Sequence, residues 1–399
     1  MADKNRQQQN SKALRREDRL WTFRAALVVT LLVVLLAVGS LIAKDREYSA
    51  NENRYLAGRP ALSLSSITSG KFMEDTEAYL SDQFLGRDLL VRTRAGVDRF
   101  VGKREVNGVY IGKDHFLFEK PSVWDDERMT RTLNTINLVT AKSGDIRSYM
   151  ALAPNATELL KNYLPTGAPV TNQTRQIAAV YKNLHHVQCV DLVTPLKAVS
   201  DPTLLYYRTD HHWTATGAYY AYVTFCRAAG LEYPKLSEYK SGEIDGFVGS
   251  LYSKTQEAVL KNNPDTVKYY FPLTESTGHA YDTAALTGGR TAKVINTNVS
   301  SKYAYLCFIE GDNPILKYDT ENHNGKSILM VKESYGNAFA PFLTDNYETV
   351  YVVDPRKVDL NLTSFVQQHD IDDVLFLNYA FAPSNPTYRN AFEKMLGVR

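Results

Sequence analysis

Four short apolar runs limit what this chain can fold into: Tyr149 to Ala153, Ile328-Leu329-Met330-Val331, Thr349-Val350-Tyr351-Val352-Val353 and Val374-Leu375-Phe376-Leu377. Each is too short for a buried helix, and the first ends at Pro154-Asn155. Before and between them lie stretches whose apolar residues recur at helical spacing: Glu127 to Lys142, Thr174 to Leu184, Thr214 to Ala229, Asn337 to Leu343 and Leu362 to Gln368. Val187 to Val193 reads as a further strand, and Thr214 stands where its helix needs an N-cap. Strands alternating with helices predict βαβ units, and so an α/β fold with a parallel sheet and helices on both faces. Residues 240–325 break the rhythm. They are rich in Gly, Tyr, Thr and Asn and read as an irregular or β-rich insertion.

Ahead of this body, Asn107-Gly108-Val109-Tyr110-Ile111-Gly112 looks like a turn into a short strand, with Phe116-Leu117-Phe118 as its partner. Gly70 to Phe100 carries a strong helical pattern. Ala25 to Ala43 is a run of nineteen uncharged residues, long enough to span a bilayer as one helix. Residues 1–24 hold seven Lys/Arg against three Asp/Glu. That excess predicts a cytoplasmic N-terminus and an extracytoplasmic body. No small-x-small cleavage site follows the run, so an uncleaved anchor is expected rather than a signal peptide. The expected organisation is a tail (1–24), a transmembrane anchor (25–43), a stalk (44–66) and an outward-facing domain (67–399).

With the tail set aside, the formal charge of +2 for the whole chain leaves −2 for the rest, which argues against nucleic acid as a partner. The three cysteines, Cys189, Cys226 and Cys307, allow one disulfide at most and lack metal-ligand spacing.

The chemistry concentrates in Tyr207-Arg208-Thr209-Asp210-His211-His212-Trp213-Thr214, in a chain with only eight histidines. An Asp beside a His can hold the imidazole in one tautomer and stabilise the imidazolium formed when it takes a proton. Asp210 and His212 are two apart, so an extended segment puts them on one side and turns His211 away. His212 is therefore the expected base and Asp210 its orienting carboxylate. His211 is expected to support them or join the core, and Trp213 to wall the pocket. A structural His pair and a metal site at Asp210, His211 and His212 are the competing readings; the latter lacks a convincing further ligand. Ser334 follows a strand and precedes a helix, at the carboxyl edge where parallel sheets bind ligands. It reads as a nucleophile or as an N-cap. As a nucleophile it would have the N–H groups of Tyr335 and Gly336 near a developing oxyanion. Arg356 and Asn378 also fall at carboxyl strand ends, and either could donate to the oxyanion or the substrate; for Arg356 the plain alternative is a salt bridge with Asp354.

Thr209-Asp210-His211-His212-Trp213, with Lys332-Glu333-Ser334-Tyr335-Gly336-Asn337-Ala338-Phe339 and Pro341-Phe342-Leu343, resembles the DHHW family of membrane-anchored bacterial envelope proteins. Glu52-Asn53-Arg54, Asp82-Gln83-Phe84 with Arg87, and Asn107 to Gly112 extend the resemblance. These proteins look like relatives of the alginate O-acetyltransferases with an SGNH-hydrolase-like domain. The resemblance implies a triad of Asp210, His212 and Ser334 in an order permuted from ordinary SGNH esterases. No cofactor and no metal are expected. The implied activity is O-acyl transfer, or ester hydrolysis, on an extracytoplasmic polysaccharide, with a membrane-embedded acyltransferase as partner. Tyr335, Gly336 and Asn337 are expected among the substrate or oxyanion contacts. The family tends to carry Asp before the Ser where this chain has Glu333, expected to point away from the pocket. A domain that binds polysaccharide or scaffolds an assembly complex without catalysis is the alternative.

Overall fold

The computed structural model describes residues 2–49, 54–121, 126–141 and 146–397. Glu52, Asn53, Asp125 and Lys142 lie outside them. The chain divides into two compact units, Met1–Gly102 and Lys103–Arg399.

The first unit begins with the helix Ala2–Ile42, of which Arg19–Ile42 is long and apolar enough to cross a membrane and is unburied throughout. That is consistent with a single-pass anchor. The helical pattern of residues 70–100 resolves into two helices, Lys71–Gln83 and Arg87–Phe100. They part at Gly86, whose φ of 83° a side-chain-bearing residue resists. The Gln83 carboxamide accepts from Arg46 N at 2.9 Å and donates to Arg46 O and Ala57 O at 3.0 Å each. Asp82 accepts from Ala57 N at 2.9 Å and lies 3.7 Å from the Arg87 guanidinium. The Asp82-Gln83 pair thus knots the segment after the apolar helix onto the end of Lys71–Gln83.

The second unit is built on an eight-stranded sheet. Its strands are β1 (Arg147–Ala153), β2 (Gln188–Val190), β3 (Ser276–Tyr281), β4 (Arg290–Thr291), β5 (Ile315–Thr320), β6 (Ser327–Lys332), β7 (Thr349–Val353) and β8 (Asp373–Tyr379). The spatial order is β4-β3-β5-β7-β6-β8-β1-β2. From β7 to β2 every pairing is parallel, whereas β5, β3 and β4 add antiparallel neighbours at the β7 edge. The sheet is therefore mixed rather than all parallel. A parallel neighbour needs a crossover, usually a helix, and between β3 and β5 the only helical piece among the described residues is the 3₁₀ turn Ser301–Cys307. So residues 276–320 are not an excursion from the fold; they extend its sheet.

Helices cover both faces. On one, Ala338, Phe339 and Phe342 of α4 (Gly336–Leu343) and Ala218, Tyr222 and Phe225 of α3 (Ala215–Ala229) pack on Ala151, Ile328, Met330, Val350 and Leu375. On the other, α1 (Asp126–Ala141), α2 (Gln173–Lys182), α5 (Leu362–Gln368) and α6 (Pro386–Met395) pack on Met150, Leu329, Val331 and Phe376. Residues of opposite parity in one strand feed opposite cores, as the pleat requires. All three cysteines are free thiols.

Ile315 and Leu316 are fully buried, one in each core. Truncating either to Ala should cost about 2–5 kcal/mol, the usual cost of deleting a buried aliphatic side chain. The drop in urea midpoint checks this, and a neutral Leu316→Ala would mean that β5 does not belong to the sheet.

Candidate active site

The segment Tyr206 to Trp213 is closed on itself by a bridge between those two residues, while Thr214 caps α3 by accepting from Gly217 N at 3.2 Å. Gly217 is needed there: a Cβ would come within 2.6 Å of Leu205 O. Inside the segment the backbone bends rather than running extended, and this alters the expected orientation of His211. Its ring lies 3.8 Å from the His212 ring instead of facing away. His211 Nδ1 is 2.7 Å from Ser250 Oγ.

Asp210, His212 and Ser334 come together. Asp210 Oδ1 lies 2.5 Å from His212 Nδ1 and accepts from His212 N at 3.0 Å, and His212 Nε2 is 2.7 Å from Ser334 Oγ. Asp210 Oδ2 accepts from Ser250 N at 2.7 Å. Burial by itself would raise the Asp210 carboxyl, but His212, His211 and the Ser250 N–H outweigh it and hold the group well below the usual carboxylate range. Desolvation, with His212 next to it, pushes the His211 imidazole down. Tyr305 stacks on His212 with ring centres 4.0 Å apart, and its hydroxyl donates to Ser334 O at 3.0 Å.

Much of the frame around these three side chains comes from residues 249–305. Asp265 accepts from Thr209 N at 2.8 Å, Thr209 Oγ1 at 2.5 Å and Arg208 Nε at 3.2 Å. Gly249 N donates to Thr209 Oγ1 at 3.0 Å. Sequence reasoning missed Gly249, Ser250, Asp265 and Tyr305, since no periodic pattern or motif marks them in so irregular a stretch.

The remaining expected contacts divide. Trp213 is fully buried and donates from Nε1 to Tyr335 O at 2.9 Å, so it fixes the turn from behind rather than walling the pocket. Asn337 is buried and turned to Lys332 Nζ at 2.6 Å and Asp312 Oδ1 at 3.0 Å. Arg356 forms the salt bridge with Asp354 and a second with Asp312, the latter at 2.8 Å. Asn378 shares the parity of Val374 and Phe376 and so points to the core opposite the one that holds Tyr335. The expected backbone donors are occupied as well. Tyr335 N donates to Glu333 Oε2 at 3.2 Å and Gly336 N to Glu333 O at 2.9 Å. The Ser334 N–H has no acceptor among the described residues. Gly336 is needed for packing: a Cβ would sit 2.5 Å from Lys332 Cβ.

Glu333 does not point away. It is 4% exposed, accepts from Tyr379 N at 3.0 Å through Oε1, and brings Oε2 to 3.2 Å from Ser334 Oγ. A turn residue has no strand parity, so its direction was not readable.

Ligand atoms of Asp210, His211 and His212 lie within 4.8 Å of one another, as a metal site would need. Both ring nitrogens of His212 are already engaged, however, and its use as a ligand would break the contact with Asp210 or with Ser334.

Residues 113–353 match the family model described as DHHW protein, and the chain belongs to that family. It is 31% identical to the crystal structure of a DHHW family protein from Eubacterium siraeum, with a TM-score of 0.65, covering 74% of this chain and 96% of that one. Bacillus cereus PatB1 shares the fold at 20% identity, with a TM-score of 0.58 over 69% of this chain and 97% of its own. Over 211 residues the chain is 24% identical to a probable alginate O-acetylase AlgJ of Pseudomonas fluorescens, covering 49% of this chain and 50% of the relative. The chain thus spans about half the length of the curated relatives it matches.

A Cβ on Gly249 would come within 2.3 Å of Asp210 Oδ2, a side chain with no freedom to yield. Gly249→Ala should displace the carboxylate and lower any turnover by about 100-fold, the scale expected of a misplacement near 1 Å. Stopped-flow acylation with a thermal melt checks this; a folded variant at parental rate would deny Asp210 its positioning role.

Proposed function

We propose that this DHHW-family protein transfers an acyl group, in the simplest case acetyl, to hydroxyls of a cell-envelope polysaccharide. Ser334 is the nucleophile, His212 the general base and Asp210 its orienting carboxylate. The observation that carries this reading is the pair of hydrogen bonds running from Asp210 through His212 to Ser334, at 2.5 and 2.7 Å. That is the arrangement an activated serine requires. Two relatives described as probable alginate O-acetylases support acetyl as the group and a polysaccharide as the acceptor. We read the second unit as SGNH-hydrolase-like with the order of its parts permuted, the Asp-x-His preceding the Ser.

His212 Nε2 takes the Ser334 proton as Oγ bonds to the donor's carbonyl carbon, and Asp210 stabilises the imidazolium. The tetrahedral oxyanion takes the Ser334 N–H. Collapse breaks the bond to the leaving group, which receives the proton from His212, and leaves an acyl-serine. A sugar hydroxyl then gives its proton to His212 and attacks the ester, and Ser334 leaves with that proton. Water in place of the sugar makes the same machinery an esterase.

We read the apolar helix near the N-terminus as a single-pass membrane anchor. The basic residues before it keep the N-terminus cytoplasmic and the site outside. An acyl donor must then be delivered across the bilayer, which calls for a membrane-embedded acyltransferase as partner.

With p-nitrophenyl acetate, the full-length protein in detergent should gain one acetyl group by intact mass, and Ser334→Ala should gain none. Asp210→Asn should acylate about 10⁴-fold more slowly, because the carboxamide favours the wrong imidazole tautomer. Equal slow release by parent and Ser334→Ala, with no adduct, would shift the reading to a polysaccharide-binding or scaffold protein.

A further inference from the structure

The Ser334 hydroxyl carries one proton and faces two atoms that would accept it: His212 Nε2 at 2.7 Å and Glu333 Oε2 at 3.2 Å. For His212 to serve as the base, its Nε2 must be the acceptor. A neutral imidazole has one N–H, and that N–H is at Nδ1, directed to Asp210 Oδ1 at 2.5 Å. The serine proton therefore lies toward His212, and Glu333 Oε2 meets a lone pair of Ser334 Oγ. A carboxylate in that seat sets acceptor against acceptor. A carboxylic acid would satisfy every contact: Oε1 accepts from Tyr379 N, Oε2 accepts from Tyr335 N, and a proton on Oε2 would have Ser334 Oγ as its acceptor along the 3.2 Å contact.

We propose that Glu333 works as a neutral carboxylic acid whose hydrogen bond to Ser334 Oγ aims the hydroxyl at His212 and stabilises the negative charge that develops as the proton leaves. The inference rests on Ser334 being the nucleophile. It makes Glu333 a catalytic residue, since it touches a reacting atom, and it needs no proton transfer from Glu333 itself. A charged Glu333 would act oppositely, repelling the anion that forms beside it.

The surroundings agree. Glu333 is 4% exposed. Removal from water pushes its carboxyl above the usual range, partly offset by the Tyr379 and Tyr335 N–H groups and by Arg356, while Asp312 pushes the same way as burial. The other titratable groups that feel it are His211 and the phenols of Tyr305, Tyr335, Tyr379 and Tyr388. An apolar seat that keeps a carboxylic acid neutral so that it can donate to a developing anion is an established device in enzymes. The sign follows: activity persists while Glu333 holds its proton and falls as pH rises through its folded value.

The test uses the full chain in detergent, with glutamate labelled by ¹³C at the carboxyl. An infrared difference spectrum between the protein and Glu333→Gln at neutral pH should show a label-sensitive protonated-carboxyl band. That measurement requires no substrate. In parallel, acylation by p-nitrophenyl acetate is followed against pH for the parent, Glu333→Gln, Glu333→Ala and Ser334→Ala. Glu333→Gln, which keeps a donor, should hold within about tenfold of the parent and lose the alkaline decline. Glu333→Ala should fall about 10²–10³-fold, the usual cost of removing one such donor. No protonated band, or an alkaline decline unchanged in Glu333→Gln, overturns the proposal. An inactive Ser334→Ala with no Glu333 band would sink this inference alone, whereas a fully acylated Ser334→Ala would sink the nucleophile reading and this one with it.

Discussion

The Asp210 carboxylate is where the separate parts of the second unit meet. One of its oxygens serves the backbone and ring of His212, and the other takes the Ser250 N–H. A carboxylate buried to 6% exposure is costly unless its lone pairs are filled. Here the filling comes from both sides, from its own bend and from the loop at Gly249 and Ser250. That loop can approach because Gly249 lacks a Cβ, and it is tied in turn to Thr209, whose N–H and hydroxyl are held by Asp265. Loss of any of these leaves a buried donor or acceptor without a partner, so the bend has little room to relax. The precision of the His212–Ser334 contact is borrowed from that rigidity.

On the other side of the contact, the turn bearing Ser334 is held from below by a buried cluster of charges. Lys332 is fully buried, with Nζ 2.8 Å from Asp312 and 2.6 Å from the Asn337 carboxamide, and Asp354 at 4.0 Å. Arg356 closes the cluster onto both aspartates. Such groups contribute little net stability once their desolvation is counted. Their hydrogen bonds do join the end of β6, the start of α4 and the exit of β7. Arg356 and Asn337, expected to face substrate, instead hold the turn that bears Ser334.

The periodic parts of the fold were legible in the sequence. β7 and α5 begin and end where their apolar patterns do, and Thr214 caps α3 as its position suggested. These signals survive because buried faces impose a period of 2 or 3.6 on the residues. The strands β3 and β5 were not legible. From Gly278 on, Ser276–Tyr281 alternates buried and half-buried residues, but Ser, Thr, Gly and His make up most of the strand, so hydropathy does not reveal the alternation. At the site, a two-residue spacing joined Asp210 to His212, and motif resemblance linked them to Ser334 across 122 residues. Side-chain direction within the bend and the turn was beyond reach. His211 and Glu333 were both misjudged for that reason, since parity rules hold only where the backbone is extended.

The antiparallel strands explain why the sheet is mixed at this edge. In the parallel stretch, the carboxyl ends of β6, β7, β8 and β1 all finish on the side that carries Ser334, as open α/β sheets arrange their sites. A further parallel strand would deliver only its exit loop there. By running the other way, β5 presents its entry instead: Ile315 pairs with Val353, so the residues just before it arrive at the same edge. Asp312, which binds Lys332 and Arg356, lies three residues ahead of Ile315, and Tyr305, stacked on His212, precedes it on the same approach. Reversing one strand thus brings a carboxylate and an aromatic face to the serine turn from a direction no βα loop supplies. The stretch that broke the sequence rhythm broke it because it enters the sheet from the opposite end.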